Sequence, residues 1–294
     1  MHDKLSGGNS REDSLAILRE HYLDKASKGL KKYFEVEKTE NGRDMEAIEH
    51  AYLNVLASYP KYLSSIREAT LNINNMRPKI LNTFLRLKEV YPDFKFPDAY
   101  FCMGFMNMGA RSFIGSEMYI GVEFFATSKN ANYEEVGNDN WLESNVVPVE
   151  STYQVLAHEY THGQQKLPPR GSNSLLTLTL LEGSAVFTAS LVTNGESLIG
   201  GAGVNKRAFS YGETYEEEIW EKFKKDMKEG NDSNWFYNAE TEDFPKDMGY
   251  YVGYKICPAY YQNAVDKKQA IQEIVELNNY DTFIEVSKYE DKFR

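Results

Sequence analysis

The sequence predicts an α+β protein that is mostly helical, with one small β-sheet set just ahead of a metal-binding helix. Three observations carry this. Apolar residues recur at helical spacing through residues 12–92 and again after residue 146. Between residues 97 and 125, aromatic and β-branched residues crowd together, punctuated by Gly104, Gly109, Gly115 and Gly121. Finally, His158-Glu159-Tyr160-Thr161-His162 places two histidines four apart, which on a helix stacks both imidazoles on one face.

Taken in order, Leu15, Leu18, Tyr22, Leu23, Ala26, Leu30 and Tyr33 predict one long amphipathic helix from Glu12 to about Phe34. Ile48, Ala51, Tyr52, Val55 and Leu56 predict a second helix, ended by Tyr59-Pro60. Tyr62, Leu63, Ile66 and Leu71 give a third. Ile80, Leu81, Phe84, Leu85 and Leu87 give a fourth, closed by Tyr91-Pro92 because a residue before proline avoids the helical region. Ala99 to Met106 and Phe113 to Phe125 read as two or three short strands. An exposed sheet edge there would hold an extended peptide by main-chain hydrogen bonds beside the metal.

Asn130 to Asn145 is polar and reads as a loop. The next helix starts near Pro148, has Glu150 in its first turn, and runs until Leu167-Pro168-Pro169 stops it; the two histidines sit in its second half. Asn173 can cap a further helix running to Thr193-Asn194, with Glu182 near its middle. Gly195 to Gly203 is a connection or a lid. Tyr211, Tyr215, Ile219, Phe223 and Met227 mark another helix, and Asn231 to Lys246 is irregular. A helix from Asp247 through Tyr261 should bend at Pro258, and 267–277 and 281–289 close the chain as two short helices. Residues 1–11 read as a polar tether. Residues 12–294 read as a single domain, with a helical part over 12–95, the sheet and loop over 96–145, and the metal-site and C-terminal helices over 146–294.

Composition narrows the function classes. The net charge of -11 is spread without a basic stripe, a surface that repels phosphate backbones, so nucleic acid is excluded as a partner. Cys102 and Cys257 lack C-x-x-C spacing, which leaves at most one long-range disulfide and no cysteine metal site. The longest apolar runs, such as Ser174 to Leu181, fall short of the roughly 20 residues of a spanning helix, so no transmembrane segment is expected.

The chemistry sits in the histidine motif. His158 and His162 can ligate one zinc ion per chain, and Glu159 lies beside it to serve as general base. Catalytic zinc keeps three protein ligands and an open position, so a third ligand is required. Gln165 and Pro168 stand where the metzincin pattern needs Gly and His. Glu182 follows His162 on a helix joined by a short turn, and antiparallel packing would bring its carboxylate to the metal. Glu182 is therefore the third ligand expected.

At this spacing the sequence resembles the gluzincin metallopeptidases. Leu181-Glu182-Gly183-Ser184-Ala185-Val186-Phe187, Ile120-Gly121-Val122-Glu123-Phe124-Phe125 and Asp247-Met248-Gly249-Tyr250-Tyr251-Val252-Gly253-Tyr254-Lys255-Ile256 are similar to a bacterial family of zinc-dependent proteases related to the gliding-motility lipoprotein B group. The similarity covers about residues 45 to 290. It implies a zincin-like core with a gluzincin-like metal site in a mostly helical protein, often exported as a lipoprotein and so extracytoplasmic, at the cell surface or in the periplasm. Its substrates do not carry over, and the peptide or protein substrate is expected from the motif chemistry alone. Relatives place an Asp four residues after the glutamate ligand to orient a metal-binding histidine, whereas this chain has Val186; orientation must then come from Ser184, Thr188 or a main-chain carbonyl.

Peptidases of this kind also take an oxyanion donor, Tyr or His, from a later helix. Tyr250, Tyr251 and Tyr254 are the candidates, with Tyr251 and Tyr254 favoured because they share a helical face beside Gly253. The expectation is a zinc metallopeptidase. The alternatives are a zincin-like protein of weak or no catalytic activity acting as an extracytoplasmic binding or motility-accessory lipoprotein, and a metallohydrolase acting on a non-peptide amide.

Overall fold

Two serines set the first departure from these expectations. In the computed structural model, Ser10 accepts a hydrogen bond from the amide of Asp13, and Ser27 accepts one from that of Leu30. Such caps satisfy the orphan donors of a helix start. The stretch expected as one long helix is thus two, α1 (Arg11–His21) and α2 (Lys28–Thr39), joined by a 3-10 turn at Leu23–Lys25. The structure describes residues 10–96, 98–113, 117–128, 130–136, 146–166, 174–193, 195, 204–238, 241, 243–278, 280 and 282–294. Most of the expected tether, part of the polar loop after Asn130, and all of the glycine-rich stretch except Gly195 lie outside them.

Asp44 caps α3 (Met45–Ser58), and Pro60 both ends that helix and opens α4 (Pro60–Leu71), where its missing N–H costs nothing. Next comes α5 (Arg77–Val90), which stops just before Tyr91-Pro92. Contacts divide the described residues into two compact units, one drawn from 1–75 and 97–150, the other from 76–96 and 151–294.

The first unit holds α1 to α4 and a mixed sheet of β1 (Asp98–Cys102), β2 (Ala110–Phe113) and β3 (Glu117–Gly121), in the order β1-β3-β2. β3 runs parallel to β1 and antiparallel to β2. The strand-like pattern through Phe125 ends early, because after Gly121 the chain turns into the short helix α6 (Val122–Phe125). Leu18, Tyr33, Ile48, Tyr52, Phe105 and Tyr119 form the core, with Tyr33 stacked on Tyr119 at 4.5 Å.

In the second unit lie α5, α7 (Thr152–His162), α8 (Ser174–Val192), α9 (Lys206–Thr214), α10 (Glu216–Glu229), α11 (Met248–Asn263), α12 (Lys267–Glu276) and α13 (Phe283–Ser287). Although the sequence groups α5 with the N-terminal helices, its inner face packs on the histidine helix, with the Phe84 ring 4.2 Å from that of Tyr160. The single helix expected around Tyr215 is broken there into α9 and α10, and Pro258 sits inside α11. Cys102 and Cys257 are buried free thiols.

Counting uninterrupted apolar runs understates one helix. Within α8, Leu175–Val192 is long and apolar enough by length and composition to cross a membrane, and 67% of it is buried inside the protein. Threonines, serines and Glu182 interrupt the apolar runs without lowering the average over the whole helix. Burial of this kind is what the core helix of a globular unit shows. Its crossing with α11 is backbone on backbone. A Cβ on Gly183 would land on the Gly253 Cα, and one on Gly253 would land on the Thr179 carbonyl oxygen. Only glycine at both positions lets the helices approach this closely.

Candidate metal centre

The motif helix α7 is short and almost wholly buried on one side, through Thr152, Tyr153, Val155, Leu156, Ala157, His158, Tyr160 and Thr161. A 3-10 turn at Val149–Ser151 leads into it, and it ends at His162 with Gly163 as its cap, sooner than the Pro168-Pro169 stop anticipates. Tyr160 is wedged against Phe84 and Phe94. That packing orients the opposite face of the helix, and with it both histidines.

Helix α8 brings Glu182 to the same point. The His158 Nε2 and His162 Nε2 atoms are 3.1 Å apart, and Glu182 Oε2 lies 3.3 Å from the first and 3.5 Å from the second. The three atoms therefore form a nearly equilateral triangle. Tetrahedral zinc with bonds of about 2.0 to 2.1 Å has its ligand atoms roughly 3.3 Å from one another. Despite these short distances, Glu182 Oε2 has no hydrogen-bond partner of acceptable geometry. The three donors converge on a common point, and two imidazoles with a carboxylate are a donor set suited to zinc. The residues present fit the ion.

Electrostatics agree. Burial alone would lower His162, but the Glu182 carboxylate raises it to about 9. Burial alone would raise Glu182, yet the His162 and His158 rings hold it well below the usual carboxylate range. The site is built to keep a negative oxygen beside positive charge in a desolvated place.

Support around the histidines is uneven. Gln165 Oε1 lies 2.9 Å from His162 Nδ1, while its amide nitrogen donates to the Leu181 carbonyl and to Ser184 Oγ, each at 2.7 Å. His158 Nδ1, by contrast, is buried without a hydrogen-bond partner. Val186, where the resemblance leads one to expect a carboxylate, is fully buried and offers no acceptor. Ser184 takes part in the support as the sequence suggests, but through Gln165, which sequence reasoning weighed only as a departure from another pattern. Its position three residues after His162, one turn on, is the signal that could have found it.

The tyrosines are distributed differently from the favoured assignment. The Tyr251 hydroxyl donates to Glu213 at 3.1 Å, and its ring lies where a Cβ on Gly212 of α9 would fall. Tyr254 packs its ring 6.0 Å from Phe209. Tyr250 is the member of the block whose hydroxyl feels Glu182; burial first, and that carboxylate second, push it well above its ordinary value. Its neighbour Tyr237, though largely exposed, is also raised, by desolvation first and then by Glu182, with Glu159 contributing. Tyr237 was not singled out from the sequence. It sits on a backbone with φ of 54°, its amide held by Asp247 Oδ1 at 2.8 Å, and Asp247 in turn has φ of 59°. A left-handed tyrosine and a left-handed aspartate locked together are costly unless the surroundings fix them.

A family model described as gliding motility protein GldB matches residues 3–291. The match takes in the N-terminal helices as well as the central blocks. No curated protein and no solved structure matches the chain. The chain belongs to the gliding motility protein GldB family.

Proposed function

We propose that this member of the family works outside the cytoplasm as a motility-accessory lipoprotein, built around one zinc ion held by His158, His162 and Glu182. The family match along nearly the whole chain carries the motility role and supports the location. The donor triangle of 3.1, 3.3 and 3.5 Å supports the metal. Metal analysis of the purified protein tests it directly, with about one zinc per chain expected and a content well below that, not restored by added zinc, sinking the metal reading. In cells, His162→Ala should abolish surface gliding while leaving the protein at normal level in the membrane fraction; gliding that persists would detach the metal from motility.

A second reading is favoured by Glu159 and the Tyr237–Tyr250 pair, which add to the ligands the parts of a peptide hydrolase. Zinc held there would supply Lewis acidity, lowering the pKa of a coordinated water to about 7. Glu159, between the two ligating histidines, would take a proton from the attacking water and hand it to the leaving nitrogen. The Tyr250 hydroxyl would donate to the carbonyl oxygen as negative charge develops on it, and Tyr237 would orient that hydroxyl. Tyr251 and Tyr254, the favoured donors in the sequence, would need to leave Glu213 and Phe209 to do so. Cleavage of a mixed peptide library by wild type and by Glu159→Gln separates the two readings. Indistinguishable profiles leave the accessory role, whereas cleavage lost in the variant, together with a fall of roughly 100-fold in Tyr250→Phe with zinc still bound, establishes the hydrolase.

A further inference from the structure

Resting on the metal reading above, we propose that Gln165 is a positioning residue that fixes which nitrogen of His162 faces the metal point. The hydrogen-bond directions leave one consistent assignment. The Leu181 carbonyl can only accept, and at 2.7 Å it must face the Gln165 amide nitrogen. Ser184 Oγ donates its own proton to the same carbonyl at 3.1 Å, so its lone pair is what accepts from Gln165 at 2.7 Å. Both amide protons of Gln165 are thereby used, and its Oε1 is left facing His162 Nδ1 at 2.9 Å. An amide oxygen cannot donate. His162 Nδ1 must then carry the proton, which leaves the Nε2 lone pair for the point shared with His158 and Glu182.

Gln165 is itself held in place. The next residue, Lys166, donates its amide to the Glu276 carbonyl at 2.8 Å and its ammonium to the Glu276 carboxylate at 2.5 Å, and its own carbonyl accepts from the Tyr280 hydroxyl at 3.3 Å. Tyr91 and Gln272 complete the shell of Glu276. The segment leaving α7 is thus tied to the end of α12, and the side chain of Gln165 is returned under His162. His158 has no such device, since its Nδ1 has no partner. The two ligating histidines are unequal, one set by a hydrogen bond and the other by packing alone.

The test uses zinc as the only probe, with affinity measured by competition against a chromogenic chelator, together with the ring nitrogen shifts of His162 in metal-free protein at alkaline pH, where the ring is neutral. Wild type should show the proton on Nδ1. Gln165→Leu should show a mixture of tautomers and bind zinc about 10- to 100-fold more weakly. Gln165→Glu, whose carboxylate accepts the same proton but sets a second acceptor against the Leu181 carbonyl, should keep the tautomer while losing part of the affinity. Wild-type His162 found protonated on Nε2, or Gln165→Leu binding zinc as tightly as wild type, overturns the proposal. If wild type binds no zinc yet shows the Nδ1 proton and loses it in Gln165→Leu, the metal reading fails while the positioning role stands. Should Gln165→Leu not fold, the tautomers of wild type and of Gln165→Glu still decide, an Nε2 proton in either overturning the proposal.

Discussion

Glu123 in the first unit and Glu182 in the second are treated in opposite ways. Glu123, in the first unit, is 0% exposed and accepts from the main-chain amides of Gly104 at 2.9 Å and Met106 at 3.4 Å. Around it stand hydroxyls, with Tyr119 and Tyr33 lying where a Cβ on Gly104 would also meet its carboxylate. Burial pushes its carboxyl up to about 7, and the amide hydrogen bonds only partly oppose this. Glu182, in the second unit, keeps 13% of its side chain exposed but meets two imidazoles, and it is held well below the usual range. Burial alone makes a carboxylate easier to neutralise; a positive partner in the same low-dielectric place makes it harder. The first environment is one a core can tolerate, the second one a cation needs.

The largest effect is expected at the metal. Apparent zinc binding energies of about 10–16 kcal/mol are shared over a few ligands, so Glu182→Ala should weaken zinc by roughly 1,000-fold in chelator competition. An unchanged affinity would make the carboxylate a bystander.

A somewhat smaller effect is expected from Glu123, with a definite sign. Its folded value of about 7 lies above the ordinary 4.5, so between those pH values the folded chain holds the proton more tightly than the unfolded one. Its contribution is complete below about pH 4.5 and is lost as pH rises through about 7, a change of about 3 kcal/mol. Denaturant midpoints of wild type and Glu123→Gln compared from pH 4.5 to 8 should show wild type losing that much relative to the variant; parallel curves would mean that Glu123 is charged throughout.

Gly183→Ala comes next. Its methyl would strike the Gly253 backbone, and a loss of about 1–3 kcal/mol of stability is expected, with weaker zinc binding because Glu182 moves with its helix. Thermal unfolding with and without zinc measures both. The smallest change is Tyr251→Phe, which gives up one hydrogen bond to an exposed Glu213 and should cost about 1 kcal/mol or less while leaving zinc affinity untouched. A large loss of zinc affinity there would bring Tyr251 back to the site.

What could be read beforehand followed from local periodicity. His158 and His162 are joined by one helical turn, and Glu182 by two helices and a short link, so spacing alone anticipates their convergence. Gln165 was hidden because its partners, Leu181 and Ser184, come from another helix. The choice among Tyr250, Tyr251 and Tyr254 depends on how α11 is rotated, and that is decided by Gly183 against Gly253 and by Gly212 against Tyr251. No periodicity within α11 reports those contacts. Likewise the break at Ser27 was concealed by apolar spacing that runs on across it, although a serine cap was there to be read.

The placement of Glu182 also bears on how such a chain is made. It falls near the middle of the helix window that would otherwise pass for a membrane span. A charged side chain at the centre of a spanning helix opposes insertion by about 2.5–3.5 kcal/mol. Were the chain exported as proposed above, that penalty would favour passage through a translocation channel over lateral release into the bilayer. The carboxylate that completes the metal triangle would then also act earlier, during synthesis, as the residue that keeps the most apolar helix from being mistaken for an anchor.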